Sequence, residues 1–129
     1  MRVLLVDDDR IFLMICEKLI RMTNFSSQIH ICMNGKEAID HLYSKSDQKD
    51  SLPEVILLDI NMPILNGWDF LDEYINFAQS NNVDIPVIII SSTVHSIDTE
   101  KAQNYDCIKG FFTKPLSLED MEAMKAILK

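Results

Sequence analysis

Acidic residues stand directly after two short apolar runs, where their carboxylates can bind a cation. Arg2 to Val6 is followed by Asp7-Asp8-Asp9, and Val55 to Leu58 is followed by Asp59. Each run is typical of a strand that is buried on both faces of a parallel sheet. The carboxyl ends of parallel strands meet at one edge, so these like charges are expected to crowd together in a partly desolvated cleft. The pattern therefore predicts a cation site.

A hydroxyl and an ammonium group follow two further predicted strands. Ser91 comes after the apolar residues 87–90, and Lys114 comes after residues 110–113. Carboxylate oxygens suit Mg²⁺, which leaves positions open for a phosphate oxygen. When such a cation and Lys114 orient a phosphoryl group, Asp59 is able to attack phosphorus and form an acyl phosphate. This edge of the sheet therefore predicts phosphoryl-transfer chemistry.

Segments with helical periodicity separate the predicted strands. Residues 11–22 predict a helix. Its apolar side carries Ile11, Ile15, Leu19 and Met22. Further helices are predicted over residues 36–43, 68–80, 98–104 and 118–128, and a further strand over residues 28–33. Five alternations of strand and helix predict an α/β fold, a doubly wound five-stranded parallel sheet with five helices on its two faces.

Polar residues mark the starts of two of these helices. Asp9 is the predicted N-cap of the first helix, which separates its role from that of its two acidic neighbours. Ser117 is the predicted N-cap of the last helix. Asp120 stands three residues later, where a capping box has Glu or Gln.

Composition limits the possible functions. The chain has 129 residues and a net charge of -8, which argues against direct binding to nucleic acid or to an anionic membrane. It is long enough for one domain, residues 1–129. No segment has the length of a membrane span and no leader pattern precedes the first strand. Three cysteines match no metal or redox spacing, which predicts reduced thiols in a cytoplasmic protein.

In these motifs the chain resembles the receiver domain of two-component response regulators, and the resemblance extends over its whole length. The motifs are an acid pair after the first strand, Asp-x-x-Met-Pro-x-x-x-Gly after the third, a hydroxyl after the fourth and Lys-Pro after the fifth. They correspond to Asp7-Asp8, Asp59 to Gly67, Ser91 and Lys114-Pro115. The resemblance implies a flavodoxin-like, CheY-like fold with strand order 2-1-3-4-5, of the stand-alone CheY-like type.

The resemblance also implies a role for each residue at the acidic edge. Asp59 is similar to the phosphoacceptor of the family. Asp8, Asp59 and the backbone carbonyl of Asn61 resemble direct Mg²⁺ ligands, and Asp7 resembles the residue that acts largely through a bound water. Lys114 resembles the ion-pair partner of the phosphoryl group.

Two residues resemble the switch residues of the family. Two others resemble the residues that set the lifetime of the acyl phosphate. The Ser91 hydroxyl would bond the phosphoryl oxygen, where the family more often has Thr. Phe111 stands where the family often has Tyr, and would swing toward the space that Ser91 leaves. Asn61 and Thr93 occupy the positions that tune acyl-phosphate lifetime.

The implied partners are proteins. A sensor histidine kinase or a histidine phosphotransfer protein would donate the phosphoryl group. An effector would bind the face made by the fourth helix, fifth strand and fifth helix, with the chain a monomer or a phosphorylation-dependent dimer. If the chain is the full gene product, output comes through protein contact; if it is part of a longer protein, another domain defines the output.

Three alternatives remain. A Mg²⁺-dependent aspartyl-phosphate phosphatase needs a second acid two residues after its nucleophile, where this chain has Asn61. A flavodoxin-like cofactor binder needs a hydroxyl- and glycine-rich loop after the first strand, where this chain has three aspartates. A receiver fold can also act as a phosphorylation-independent binding module.

Other conspicuous residues have ordinary interpretations. His30 and His41 lie away from the acidic edge and are expected to be structural or exposed. His95 is expected to be a loop residue, although it stands nearer to the site. Trp68 is expected to pack in the core.

Overall fold

The computed structural model describes residues 1–26, 28–92 and 96–128. Its strands are β1 (Arg2–Val6), β2 (Gln28–Cys32), β3 (Val55–Leu58), β4 (Val87–Ser91) and β5 (Ile108–Thr113). Its helices are α1 (Arg10–Met22), α2 (Gly35–Ser44), α3 (Gly67–Asn81), α4 (Ser96–Ala102) and α5 (Leu118–Ile127), with a 3-10 turn at Lys49–Ser51. The strands pair in parallel in the order β2-β1-β3-β4-β5. The predicted fold class and strand order are confirmed.

Two apolar layers enclose the central strands. In β3, Ile56 and Leu58 pack with the buried residues of α2 and α3, whereas Val55 and Leu57 pack with those of α1 and α5. Consecutive strand residues point to opposite faces, so a strand covered on both sides must be apolar at every position. This double burial explains the uninterrupted apolar runs that end in acids.

Helix α1 buries a different side from the one predicted. Its buried residues are Phe12, Leu13, Cys16 and Ile20. Ile11 is 71% exposed and Met22 is 66% exposed. Six consecutive apolar residues, 11–16, place apolar side chains on every side of the first half of the helix, so periodicity alone selected the wrong face.

The predicted helix caps are present. The Asp9 side chain accepts hydrogen bonds from the backbone N–H groups of Ile11 and Phe12. Ser117 and Asp120 form a reciprocal capping box, with distances of 2.9 and 3.1 Å. The shorter Asp side chain therefore reaches the N-cap backbone. Helix α4 ends at Ala102, two residues before its predicted end.

Within the described parts of the chain, no helix combines the length and the apolar character that crossing a membrane requires.

Candidate functional site

The carboxyl edge of the sheet fixes the backbone of the predicted site residues. The N–H of Asp59 donates to the carbonyl of Val6 at 2.9 Å. The N–H of Lys114 donates to the carbonyl of Ser91 at 2.8 Å. These bonds extend the sheet ladder beyond the strand ends, so the side chains start from a rigid frame.

Three carboxylates converge at this edge. Asp7, Asp8 and Asp59 each place a carboxylate oxygen within 4.8 Å of the other two. Asp7 is 1% exposed and Asp59 is 5% exposed, whereas Asp8 faces solvent. The Nζ of Lys114 lies 2.6 Å from Oδ2 of Asp7 and 3.8 Å from Oδ2 of Asp59. One ammonium group therefore serves a cluster of three acids.

Burial and mutual repulsion disfavour the charged forms of the two inner acids. Burial, followed by the charge of Asp7, raises the pKa of Asp59 to about 6, although Lys114 and the N–H of Asn61 oppose this rise. Burial also raises the pKa of Asp7, despite its hydrogen bonds with Lys114 and the N–H of Asp9. The protein's own cation does not offset the desolvation of these carboxylates. A divalent cation bound by the exposed and buried oxygens together would do so, and hard oxygen donors fit Mg²⁺.

Gly67 allows α3 to approach the backbone of Asp59. A Cβ atom at Gly67 would lie 2.7 Å from the carbonyl oxygen of Asp59 and 2.7 Å from Cα of Ile60. The N–H of Gly67 donates to the carbonyl of Ile60 at 2.8 Å, and Asn66 caps the helix through the N–H of Asp69. The start of α3 thus rests directly on the segment that follows Asp59.

The ring of Phe12 contacts the ammonium group of Lys114. The ammonium group of Lys114 lies 4.3 Å from the centroid of the Phe12 ring, within the range of a cation–π contact. Phe12 was not among the predicted site residues, because 102 positions separate it from Lys114 and no local pattern joins the two.

The remaining predicted residues lie at different depths. Ser91 ends β4 and is fully buried. Phe111 is half-buried and lines a groove of about 230 Å³ beside Thr99 and Ala102 of α4. Asn61 is exposed, and Thr93 lies outside the described residues.

Two histidines and two buried cysteines of the described residues are not members of the acid cluster. The rings of His30 and His41 stack with centroids 3.8 Å apart and planes 13° apart. Burial raises the pKa of the Cys16 and Cys32 thiols to about 12, so both are inert at neutral pH. His95 lies outside the described residues.

Comparisons with known proteins agree with this architecture. The profile of the response regulator receiver domain family matches residues 3–126. The crystal structure of a two-component response regulator from Cytophaga hutchinsonii has a TM-score of 0.89 and 30% identity, covering 98% of this chain and 95% of that one.

Two curated relatives are longer than this chain. A probable methanogenesis regulatory protein, FilR2, from Methanothrix harundinacea is 27% identical over 93% of this chain and 76% of its own length. A protein-glutamate methylesterase/protein-glutamine glutaminase from Treponema denticola is 34% identical over 92% of this chain. That match spans only 29% of the methylesterase, so the esterase name describes a much larger protein.

The doubly wound parallel sheet with strand order 2-1-3-4-5 defines the fold as CheY-like. The chain belongs to the response regulator receiver domain family of two-component systems.

Proposed function

We propose that this chain is a phosphorylation-dependent switch in a two-component or phosphorelay system, with Asp59 as the phosphoacceptor. The observation that carries the proposal is the convergence of Asp7, Asp8 and Asp59 within 4.8 Å beside Lys114. A pKa of about 6 leaves Asp59 mainly as the carboxylate at neutral pH, which is the nucleophilic form. The chain catalyses only its own phosphorylation and dephosphorylation.

The chemical step is the transfer of a phosphoryl group from a phosphohistidine of a sensor kinase or a phosphotransfer protein. An oxygen of Asp59 attacks phosphorus, and the O–P bond forms as the N–P bond of the donor breaks. The electron pair of that bond stays on the leaving imidazole, which takes up a proton. Lys114, whose Nζ lies 3.8 Å from Oδ2 of Asp59, then has a new anionic partner on that carboxylate.

Asp7, Asp8, Asp59 and the backbone carbonyl of Asn61 would hold Mg²⁺. When bound, the ion supplies positive charge that neutralises the phosphoryl oxygens during transfer. Asp8 is the solvent-facing member of the set and Asp7 the deepest.

The exposed side of α1 is the proposed docking surface for the donor. This α1 surface consists of Ile11, Met14, Ile15 and Met22, which are 50 to 73% exposed. Helix α1 is capped by Asp9, whose N–H donates to Asp7 at 2.9 Å, so the first turn of the surface adjoins the acid cluster. A protein that delivers phosphohistidine to Asp59 can cover these apolar side chains as it binds.

The proposed output face consists of α4, β5 and α5. Ser91 and Phe111 are the proposed switch residues, with Asn61 and Thr93 setting the lifetime of the phosphorylated state. The half-buried Phe111 borders the groove beside α4, so a movement of its ring would reshape this face for a protein effector. The chain would act as a monomer or as a phosphorylation-dependent dimer.

We place this activity in one receiver unit, residues 1–129, in the cytoplasm. Both core layers pack on the same sheet, and all three cysteines, which lie in the described residues, are free thiols, as in a reducing compartment. The net charge of -8 argues against direct binding to nucleic acid or an anionic membrane.

The test is intact-mass measurement after incubation with acetyl phosphate and Mg²⁺. The wild type should gain one phosphoryl group, and Asp59→Asn should gain none. Asp9→Asn is the matched control, because it removes one carboxylate nearby while Asn remains a good N-cap.

An adduct on Asp59→Asn, or equal loss in Asp9→Asn, would contradict the assignment of the acceptor. If the wild type gains no adduct from acetyl phosphate or from a phosphorylated histidine domain, the chain is a phosphorylation-independent binding module instead.

A further inference from the structure

Trp68, the only tryptophan, joins the start of α3 to the end of α4. Its ring stacks on Tyr105 with centroids 5.6 Å apart and planes 28° apart. The ammonium group of Lys101, on α4, lies 4.9 Å from the centroid of the Trp68 ring. The hydroxyl of Tyr105 donates to Oδ1 of Asp72, one turn further along α3, at 2.9 Å. We call these four residues the α3–α4 clamp.

The clamp is connected to the phosphoacceptor by a short path. Trp68 follows Gly67, which packs on the carbonyl of Asp59 with no room for a side chain. A displacement of the Asp59 backbone therefore acts on the first turn of α3, where the indole ring begins. The backbone contact is close enough that the two segments cannot move independently.

The clamp also restrains the helix that borders Phe111. Ala102 of α4 and Trp68 are buried in the same core layer, and Phe111 packs against that layer. The groove beside Phe111 is lined by Thr99 and Ala102, so its shape depends on where α4 lies. Helix α4 is only seven residues long, and one of its side chains, Lys101, reaches across to Trp68.

We propose that Lys101 and Tyr105 are positioning residues that hold α4 against Trp68 and thereby couple phosphorylation of Asp59 to the α4 face. This inference rests on the proposed function and deepens it. With the clamp formed, Phe111 is half-buried beside Thr99 and Ala102 of α4. The clamp thus stabilises α4 in its unphosphorylated position, and loosening it should favour phosphoryl uptake.

Trp68 itself reports the state of the clamp, because indole emission responds to a charge placed over the ring. Acetyl phosphate with Mg²⁺ should change the emission of the wild type as Asp59 is phosphorylated. Lys101→Met keeps the aliphatic stem and removes the charge, and should abolish most of that change. Lys36→Met is the matched control, because it also removes the charge of an exposed lysine on a helix. Lys36 pairs with Asp40 and is not part of the clamp.

Kinetics test the coupling by a second readout. Lys101→Met and Tyr105→Phe should each speed phosphoryl uptake by about fivefold, the lower range of allosteric coupling. In a Trp68→Leu background, Lys101→Met should have no further effect, because Leu has no aromatic ring for the ammonium group to contact. A purely structural role would lower thermal stability in all backgrounds without this dependence.

The outcomes separate the two proposals. If the wild type is phosphorylated but its emission does not change, and both variants match Lys36→Met in rate, the clamp inference is overturned and the proposed function stands. If the wild type takes up no phosphoryl group, the proposed function fails and the coupling fails with it. Rates that depend on Lys101 only when Trp68 is present establish the clamp.

Discussion

Lys114 lies closer to Asp7 than to the proposed phosphoacceptor Asp59. Its Nζ lies 2.6 Å from the Asp7 carboxylate and 3.8 Å from that of Asp59. Of the two buried acids, the phosphoacceptor is thus the one that the protein's own cation compensates less. Asp59 accordingly has a pKa of about 6, raised by burial and by Asp7. A second cation bound at this site would therefore stabilise the charged form of Asp59.

Mg²⁺ should stabilise the folded chain, because it relieves repulsion among Asp7, Asp8 and Asp59. At ten times its dissociation constant it adds about 1.4 kcal/mol, or roughly 4 °C in melting temperature. Thermal melts at constant ionic strength measure this shift. Asp8→Asn should reduce it and Asp9→Asn should preserve it; no shift in the wild type would show that the acids do not bind Mg²⁺.

Removal of the Lys114 charge should cost both stability and activity. Lys114→Met leaves the carboxylates of Asp7 and Asp59 without their ammonium partner in a buried setting, which costs about 3 kcal/mol. Urea unfolding measures the loss, and the mass assay should show slower phosphoryl uptake. Lys36→Met is the control, since Lys36 pairs only with the exposed Asp40 among the ion pairs of the described residues; an equal loss there would contradict the role of Lys114.

The α1 surface should matter only for a protein donor. Met14→Glu places a charge among exposed apolar side chains and should slow transfer from a phosphorylated histidine domain by roughly tenfold, about 1.4 kcal/mol of docking free energy. Uptake from acetyl phosphate should not change, because a small donor needs no docking surface. Tyr43→Glu, on α2 and 50% exposed, is the control. If both donors slow equally, the effect lies in the acid cluster and not in docking.

Gly67→Ala should displace the phosphoacceptor. The new Cβ would meet backbone atoms of Asp59 and Ile60 at 2.7 Å, and backbone cannot move aside easily. We expect a loss of roughly 2 kcal/mol in unfolding free energy and slower phosphoryl uptake. Gly110→Ala is the control, because its nearest atoms, at 3.1 Å, belong to the movable side chains of Ile127 and Phe112. Similar losses in both variants would show that the contact with Asp59 has no special role.

Protonation of the stacked histidines should lower the free energy of unfolding at acid pH. Burial, followed by the charges of His30 and Lys45, lowers the pKa of His41 below its ordinary 6.5. The unfolded chain then binds the proton more readily, so the contribution of His41 is complete above pH 6.5 and is lost as the pH falls below that value.

Melting temperatures at about pH 8 and about pH 5 test this prediction. The wild type should lose more stability than His41→Gln over that interval. His30→Gln should reduce the acid loss only in part, because burial of His41 remains. Equal losses in the wild type and His41→Gln would overturn the assignment.

The sequence alone determined the sheet, its five strands and the acids at its carboxyl edge. Strands covered on both faces must be apolar at every position, so Val55 to Leu58 was readable without a structure, and Asp59 marked its end. Capping is equally local, because Asp9 and Ser117 bond N–H groups within three residues. Signals of this kind lie within a few residues of each other.

Only the tertiary structure decided which contacts the functional side chains make. Nothing local joins Lys114 to Asp7 and Phe12, or Trp68 to Lys101 and Tyr105. The buried side of α1 was likewise undetermined, since residues 11–16 are apolar on every side of the helix and take their orientation from the sheet and from α5. These features depend on residues that are distant in sequence and meet only when the two core layers close over the sheet.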